Sequence, residues 1–382
     1  MGEMHQPSGL PGGAIRTLLV PAVVASLLSG VAGGLVRAGV ALPEAAVGGW
    51  LGSASVHHAF LMICAFMGTV IGIERAVGVK SPWAYLAPCA TAVAGIAALT
   101  GQPAAAAWLA TAGAASFIGI NAIVVRRQPA AHTVLLWIGA VAWFVGSLLF
   151  AVGTPSSGVV PWWFAFLVLT IAAERLEMTR LMRRRAAAGS TLHAVLATML
   201  AGCALAIVAP RAGHVVFGVS LLALSLWLLI FDIARRTVRA RGLSRYMAIC
   251  LLLGYGWLGV AGAAWCGATA TGAPARDTAL HALAIGFVFS MMLGHAPVIL
   301  PALARIKVQF GWAFYLPLAL LHGSLLWRLL RGPADPASLA TGAAGNALAI
   351  VLFAGTLAGS AIAWRIKHPQ ASRLRHDAAS AH

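Results

Sequence analysis

The sequence is poor in charge, and acidic residues are especially scarce. Its 382 residues include only nine Asp and Glu against 26 Lys and Arg, and charged residues make up 9% of the chain. Soluble globular domains carry about 25% charged residues, so this composition excludes a soluble domain. Hydrophobic residues reach 60%, which excludes a disordered chain as well. We therefore expect an integral membrane protein.

Cysteine motifs are also missing. The five cysteines are isolated from one another, and neither Cys-x-x-Cys nor Cys-x-x-Cys-His occurs. A disulfide framework needs an even set of spaced cysteines, and a covalently attached c-type haem needs the Cys-x-x-Cys-His motif. The sequence therefore favours neither.

Apolar stretches of roughly 20 residues, the length that crosses a bilayer, recur twelve times. The 42 glycines suit helices that pack closely. We predict an all-α membrane bundle of about twelve helices that forms one domain over 1–382, with a short N-terminus at 1–16 and a basic tail at 366–382. The stretches lie at approximately 17–36, 55–74, 83–101, 104–125, 131–152, 159–177, 190–209, 213–233, 245–267, 278–303, 309–330 and 342–364.

The basic residues are distributed unequally between the two sets of loops. Twenty Lys and Arg lie after the even-numbered spans and in the tail, whereas only five lie on the opposite side: Arg37, Arg211, Arg276, Arg328 and Arg331. Cytoplasmic loops carry the excess of Lys and Arg, so both termini are predicted to be cytoplasmic, in a bacterial inner membrane. The expected partner of these basic loops is the lipid bilayer and not nucleic acid.

Short sequence echoes link spans 2, 6 and 10. Glu74-Arg75 ends span 2 and Glu174-Arg175 ends span 6, while His58-Ala59-Phe60-Leu61 in span 2 resembles His281-Ala282-Leu283-Ala284 in span 10. These echoes suggest three pseudo-symmetric units of four helices. The Glu-Arg pairs are explained by membrane orientation or, alternatively, by proton uptake from the cytoplasm.

Histidines inside a bilayer are candidates for function, because ionisable side chains are costly there. His57 and His58 lie at the outer end of span 2, and His281 lies at a similar depth in span 10. Two neutral imidazoles on facing helices can supply both axial ligands of a haem iron. We therefore predict that His281 and His58, or His57, hold a b-type haem; the alternative is that each ring merely hydrogen-bonds a neighbouring helix.

Two further histidines lie deeper in the membrane. His295 follows His281 by 14 residues, which places it about 40° from the same helix face and roughly 21 Å further in. His322 in span 11 lies between them in depth. Both are candidate ligands of a second haem or of copper, or members of a proton path.

One segment of span 10 resembles a known family. The segment HALAIGFVFSMM, from His281 to Met292, together with twelve spans and a histidine at the outer end of span 2, is similar to the NnrS family of haem- and copper-containing membrane proteins. The resemblance implies haem bound through His281 and His58 or His57, and a role in nitric-oxide metabolism or nitrosative-stress defence. It leaves copper open.

The NnrS family is itself similar in layout to subunit I of the haem-copper oxidases, whose metal ligands lie on helices 2, 6 and 10. Here span 6 has no histidine and span 10 has no His-x-His. The chain therefore departs from the oxidase pattern, and an oxidase-type binuclear copper centre is not predicted. The electron donor and substrate of a redox reaction stay open.

Two other classes remain open from the sequence alone. A twelve-span secondary transporter fits the helix count, and the Gly294-His295-Ala296-Pro297 segment predicts the kind of helix break that such proteins use. A non-catalytic sensor or assembly protein is the third class. A Soret absorption band would separate the haem protein from the transporter.

Overall fold

The protein is described by a computed structural model that covers residues 12–41, 49–178, 187–304 and 307–368. These residues form helices and no strand, which confirms the predicted all-α bundle. Most of the predicted N-terminal segment and nearly all of the basic tail lie outside the described residues. So does 179–186, which holds several of the arginines used to predict orientation.

Twelve helices among the described residues are long and apolar enough to cross a membrane, so the chain is a multi-pass membrane protein. We number them in chain order. They are α1 Gly12–Arg37, α2 His58–Val79, α3 Pro82–Leu99, α4 Pro103–Arg127, α5 Ala131–Ala151, α6 Ser156–Met178, α7 Ala188–Val208, α8 Pro210–Phe231, α9 Leu243–Thr271, α10 273–304, α11 Trp312–Arg331 and α12 Pro336–Lys367.

Several helices begin at a proline, which lacks an N–H and loses nothing in the first turn. The start of α12 combines a first-turn proline with a side-chain N-cap. Asp335 accepts hydrogen bonds from the backbone N–H groups of Ala337 and Ser338. Hydrogen bonds from the Ser338 hydroxyl and from these N–H groups lower the pKa of the Asp335 carboxyl. This cap makes α12 begin at Pro336, several residues before the apolar stretch predicted at 342–364.

The chain divides into two compact units, Met1–Ser220 and Leu221–His382, and the division falls within α8. The arrangement of three pseudo-symmetric four-helix units stays a prediction. In the first unit α6 is the most buried helix, with 83% of its apolar window inside the protein. Trp143 of α5 stacks on Phe166 of α6 with ring centroids 4.8 Å apart, and this aromatic layer forms the centre of the unit.

The second unit is built on α9, α10, α11 and α12. Small residues allow close helix approach: a Cβ added at Gly342 of α12 would lie 2.6 Å from the Cβ of Arg328 in α11. Asn346 of α12 donates to the carbonyl of Leu321 and to the hydroxyl of Ser324, both in α11. These contacts bind α11 to α12 and fix the position of Arg328.

Candidate functional site

Two of the twelve helices contain a π-helical segment, and each segment follows a predicted ligand histidine. In α2 the π-helix Leu61–Met67 begins three residues after His58, and in α10 the π-helix Ala282–Phe289 begins directly after His281. π-helical turns are rare and are frequent at functional sites. The sequence echo between His58 and His281 is therefore matched by the same unusual backbone in each unit.

A tryptophan packs against a glycine at each π-segment. A Cβ added at Gly68, just after the π-helix of α2, would lie 2.4 Å from the Trp143 ring. A Cβ added at Gly286, inside the π-helix of α10, would lie 2.4 Å from the ring of Trp257 in α9. In both units, an indole ring therefore packs directly against a glycine at the irregular backbone.

His58 is oriented by α1. Its Nδ1 lies 2.6 Å from the carbonyl oxygen of Gly30, and a carbonyl can only accept a hydrogen bond. Nδ1 therefore carries the proton, and Nε2 of the neutral ring carries the lone pair. The same ring lies against Gly34, where an added Cβ would be 2.7 Å from His58 Cε1.

Gly34→Ala should displace the His58 ring, because a methyl group and the ring would occupy the same space. We expect a loss of about 1–3 kcal/mol in the free energy of unfolding, which is typical of overpacking, measured as a lower unfolding temperature by tryptophan fluorescence. Gly119→Ala is the matched control, since a Cβ there would meet nothing within 4 Å. Equal unfolding temperatures for the two variants would show that Gly34 does not seat the ring.

His57 lies between the short helix Trp50–Val56 and α2, and it is half-buried. Burial lowers the pKa of His57 below its usual value, so the ring stays neutral near pH 7. No hydrogen bond of its ring is found within the part of the chain that the structure describes. His58, whose ring is oriented, is therefore the better candidate ligand of the two.

His281 is oriented by a carboxylate. Its Nδ1 lies 3.0 Å from Oδ1 of Asp277 and 3.0 Å from the Asp277 carbonyl oxygen, one helical turn earlier in α10. Both groups accept, so Nδ1 carries a proton here as well, and in the neutral ring Nε2 carries the lone pair. The side chain is 18% exposed.

Asp277 is held in turn by Arg328 of α11. The guanidinium donates through Nε to Oδ2 at 3.1 Å and through Nη2 to Oδ1 at 2.8 Å, and Arg328 is only 7% exposed. Sequence reasoning missed both residues, since Arg328 was counted only as an orientation signal. The spacing of Asp277 and His281, which places them on one helix face, was the available signal for the first contact.

His322 is hydrogen-bonded at both ring nitrogens within the second unit. The indole N–H of Trp257 can only donate, so Nδ1 of His322 accepts at 2.8 Å and the proton of the neutral ring lies on Nε2. That proton faces the hydroxyl of Ser290 at 3.3 Å, and Ser290 donates to the carbonyl of Cys250 at 2.7 Å. This geometry gives no support to His322 as a metal ligand.

His295 lies on an uninterrupted α-helix. Its Nδ1 is 2.7 Å from the carbonyl oxygen of Met291, and the segment Ser290–Ala304 remains helical through Pro297. The helix break predicted at 294–297 is therefore wrong, because a proline removes one backbone hydrogen bond and the remaining turns keep the helix intact. The irregular backbone of α10 lies upstream, in the π-helix.

No group of three or more His, Cys, Asp or Glu side chains within the described ranges could hold a metal ion. The structure thus does not gather His295 and His322 with a third ligand, which a copper site would need.

The two Glu-Arg pairs come together in the first unit. Glu174 lies within electrostatic reach of Glu74, Arg75 and Arg175, and Arg175 is 4% exposed. From the sequence alone, these pairs were interpreted as two separate Glu-Arg pairs, each at the end of its own helix. The structure instead brings them into one charge cluster where α2 and α6 end, in which Glu74 and Glu177 repel Glu174 while Arg175 and Arg75 attract it.

Comparison with known proteins places the chain in a family. The model of a family described as "Domain of unknown function (DUF8744)" matches residues 16–362, from α1 into α12. The chain belongs to this family. No curated protein and no solved structure matches it. For this DUF8744 member, the function is therefore argued from the geometry of the two histidine sites.

Proposed function

We propose that this chain is a haem-binding integral membrane protein and that His58 and His281 are each candidate axial ligands of haem iron. The observation that carries the proposal is the matched orientation of the two rings. Each histidine lies just before a π-segment and directs its Nδ1–H to an oxygen acceptor, so that Nε2 of the neutral ring carries the lone pair. Metal-ligating histidines commonly donate their other N–H to a carbonyl or a carboxylate.

The donor set fits a b-type haem. Imidazole nitrogens are ordinary axial ligands of haem iron, and the missing Cys-x-x-Cys-His motif argues against covalent attachment. A bound haem would supply one-electron chemistry. The chain's own contribution is to fix the orientation of each imidazole through the hydrogen bond at Nδ1. A role in nitric-oxide metabolism is supported by the NnrS resemblance alone, and copper is left out of the proposal.

The test is the visible spectrum of the full-length protein, expressed with a haem precursor and purified in detergent. We expect a Soret band and a pyridine haemochrome of the b type, with haem present in stoichiometric amount. A protein that folds, elutes as a single species and shows no Soret band would contradict the proposal.

A secondary transporter is the second candidate, and one observation favours it. Transporters often contain irregular helices, and α2 and α10 each contain a π-helical segment. This candidate predicts a colourless protein whose unfolding temperature rises with a transported solute. The Soret measurement therefore separates the two proposals.

We further propose that both termini face the cytoplasm of a bacterial inner membrane. The support is the bias of twenty against five basic residues between the two sets of loops. Reporter fusions after Arg241 should be cytoplasmic, and fusions at Thr154 and Gly272 should be external. A cytoplasmic signal at Gly272 would show that the part of the chain containing His281 has the opposite orientation to the one proposed.

A further inference from the structure

We infer that Asp277 and Arg328 are positioning residues that set the electron-donating strength of His281. This inference rests on the proposed haem function and goes beyond it, because it assigns the two histidines different chemical roles. The contacts that carry it are the Asp277–His281 hydrogen bond at 3.0 Å and the two hydrogen bonds from Arg328 to Asp277 at 3.1 and 2.8 Å.

The two imidazoles face different acceptors. His58 donates to a neutral carbonyl, that of Gly30, whereas His281 donates to the charged carboxylate of Asp277. A carboxylate pulls the Nδ1 proton more strongly than a carbonyl does and so raises the basicity of Nε2. His281 is therefore the stronger donor and His58 the weaker one.

Arg328 keeps the Asp277 carboxylate ionised and correctly aimed. The Asp277 side chain is 30% exposed, and partial burial disfavours an ionised carboxylate that has no charged partner. A protonated acid would no longer polarise the imidazole. The planar guanidinium engages both carboxylate oxygens and fixes their orientation. Gly342 holds Arg328 in place, since no side chain separates α12 from α11 at that point.

A purely structural ion pair is the competing explanation. Such a pair would stabilise α10 against α11 but would have no influence on iron bound at Nε2. The two explanations predict different effects of removing the Asp277 charge on the midpoint potential of the haem. A carboxylate that increases the electron density on Nε2 stabilises the oxidised iron. Removing the negative charge of Asp277 must therefore raise the midpoint potential of the haem.

The experiment is a redox titration of the full-length haem-loaded protein and of Asp277→Asn. We expect the ratio of reduced to oxidised haem at a fixed ambient potential to rise about tenfold in the variant, which is 59 mV for a one-electron couple. Arg328→Lys keeps a cation beside Asp277 but loses the planar group that engages both carboxylate oxygens, so its midpoint potential should lie between those of the wild type and Asp277→Asn.

Asp335→Asn is the matched control. It removes the same charge from the same unit, but Asp335 is exposed and its contacts lie at the start of α12. A midpoint in Asp277→Asn equal to that of Asp335→Asn, with haem still bound, would overturn the inference and leave the haem function standing.

A second measurement needs no haem. Nitrogen-15 NMR of histidine-labelled wild-type protein, with His281 assigned by the signal lost in His281→Gln, should show the tautomer protonated at Nδ1. In Asp277→Asn the population of that tautomer should fall. A wild-type His281 protonated at Nε2 would refute the inference even if no Soret band is found, and it would do so independently of whether Asp277→Asn folds.

Discussion

Replacing His281 with alanine is expected to abolish the low-spin haem spectrum of the protein. The methyl side chain has no ligating nitrogen, so an iron ligated by His281 would lose that axial ligand and become high-spin or dissociate. His58→Ala should have the same consequence, whereas His57→Ala should leave the spectrum low-spin. The measurement is the visible spectrum and haem stoichiometry of each purified variant.

The control for this prediction is His193→Ala. His193 is exposed on α7, and its Nδ1 lies 2.7 Å from the Gly189 carbonyl of the same helix, so its removal should leave the spectrum unchanged. If His281→Ala and His58→Ala both keep a low-spin spectrum at full stoichiometry, the ligand assignment is wrong. If only His57→Ala loses it, the ligand in α2 is His57.

Replacing His322 with alanine is expected to destabilise the protein strongly without changing its metal content. The substitution leaves the Trp257 N–H without its acceptor, removes a donor to Ser290 and opens a cavity beside the π-helix of α10. Together these losses should lower the free energy of unfolding by about 2–4 kcal/mol. Unfolding temperature and metal analysis by mass spectrometry measure the two effects.

His322→Gln is the conservative partner of that variant. Its amide has an oxygen that can accept from Trp257 and a nitrogen that can donate to Ser290, so part of the lost stability should return. A fall in bound metal in His322→Ala at unchanged stability would instead restore the prediction of a metal ligand at this position.

Hydropathy located the helices well because the bilayer imposes its requirement on each segment separately. A stretch needs about 20 apolar residues to span the hydrocarbon core, and that property is visible without knowledge of any neighbour. The ends were less accurate. The helix α12 runs over 32 residues, since a capping aspartate and a first-turn proline start it before the apolar stretch begins.

The candidate site was predicted only in part. His58 and His281 were identified because histidine is unusual in an apolar span and because the His-Ala echo repeats in spans 2 and 10. The orientation of the His58 ring could not be predicted, because Gly30 lies 28 positions away. The contact between Arg328 and Asp277, 51 positions apart, could not be predicted either. No local pattern specifies which partners such distant residues meet.

The sequence by itself determined the twelve-helix membrane architecture and the few ionisable residues placed within it, because bilayer insertion depends on the composition of each segment. Only the tertiary structure decided where the helices become π-helical, that Asp277 connects His281 to Arg328, and that His322 is occupied at both nitrogens. These features depend on which side chains of neighbouring helices meet. For Arg328 and His322 the physical origin is the cost of leaving a buried polar group without a hydrogen bond, and the partners that meet this need lie on other helices.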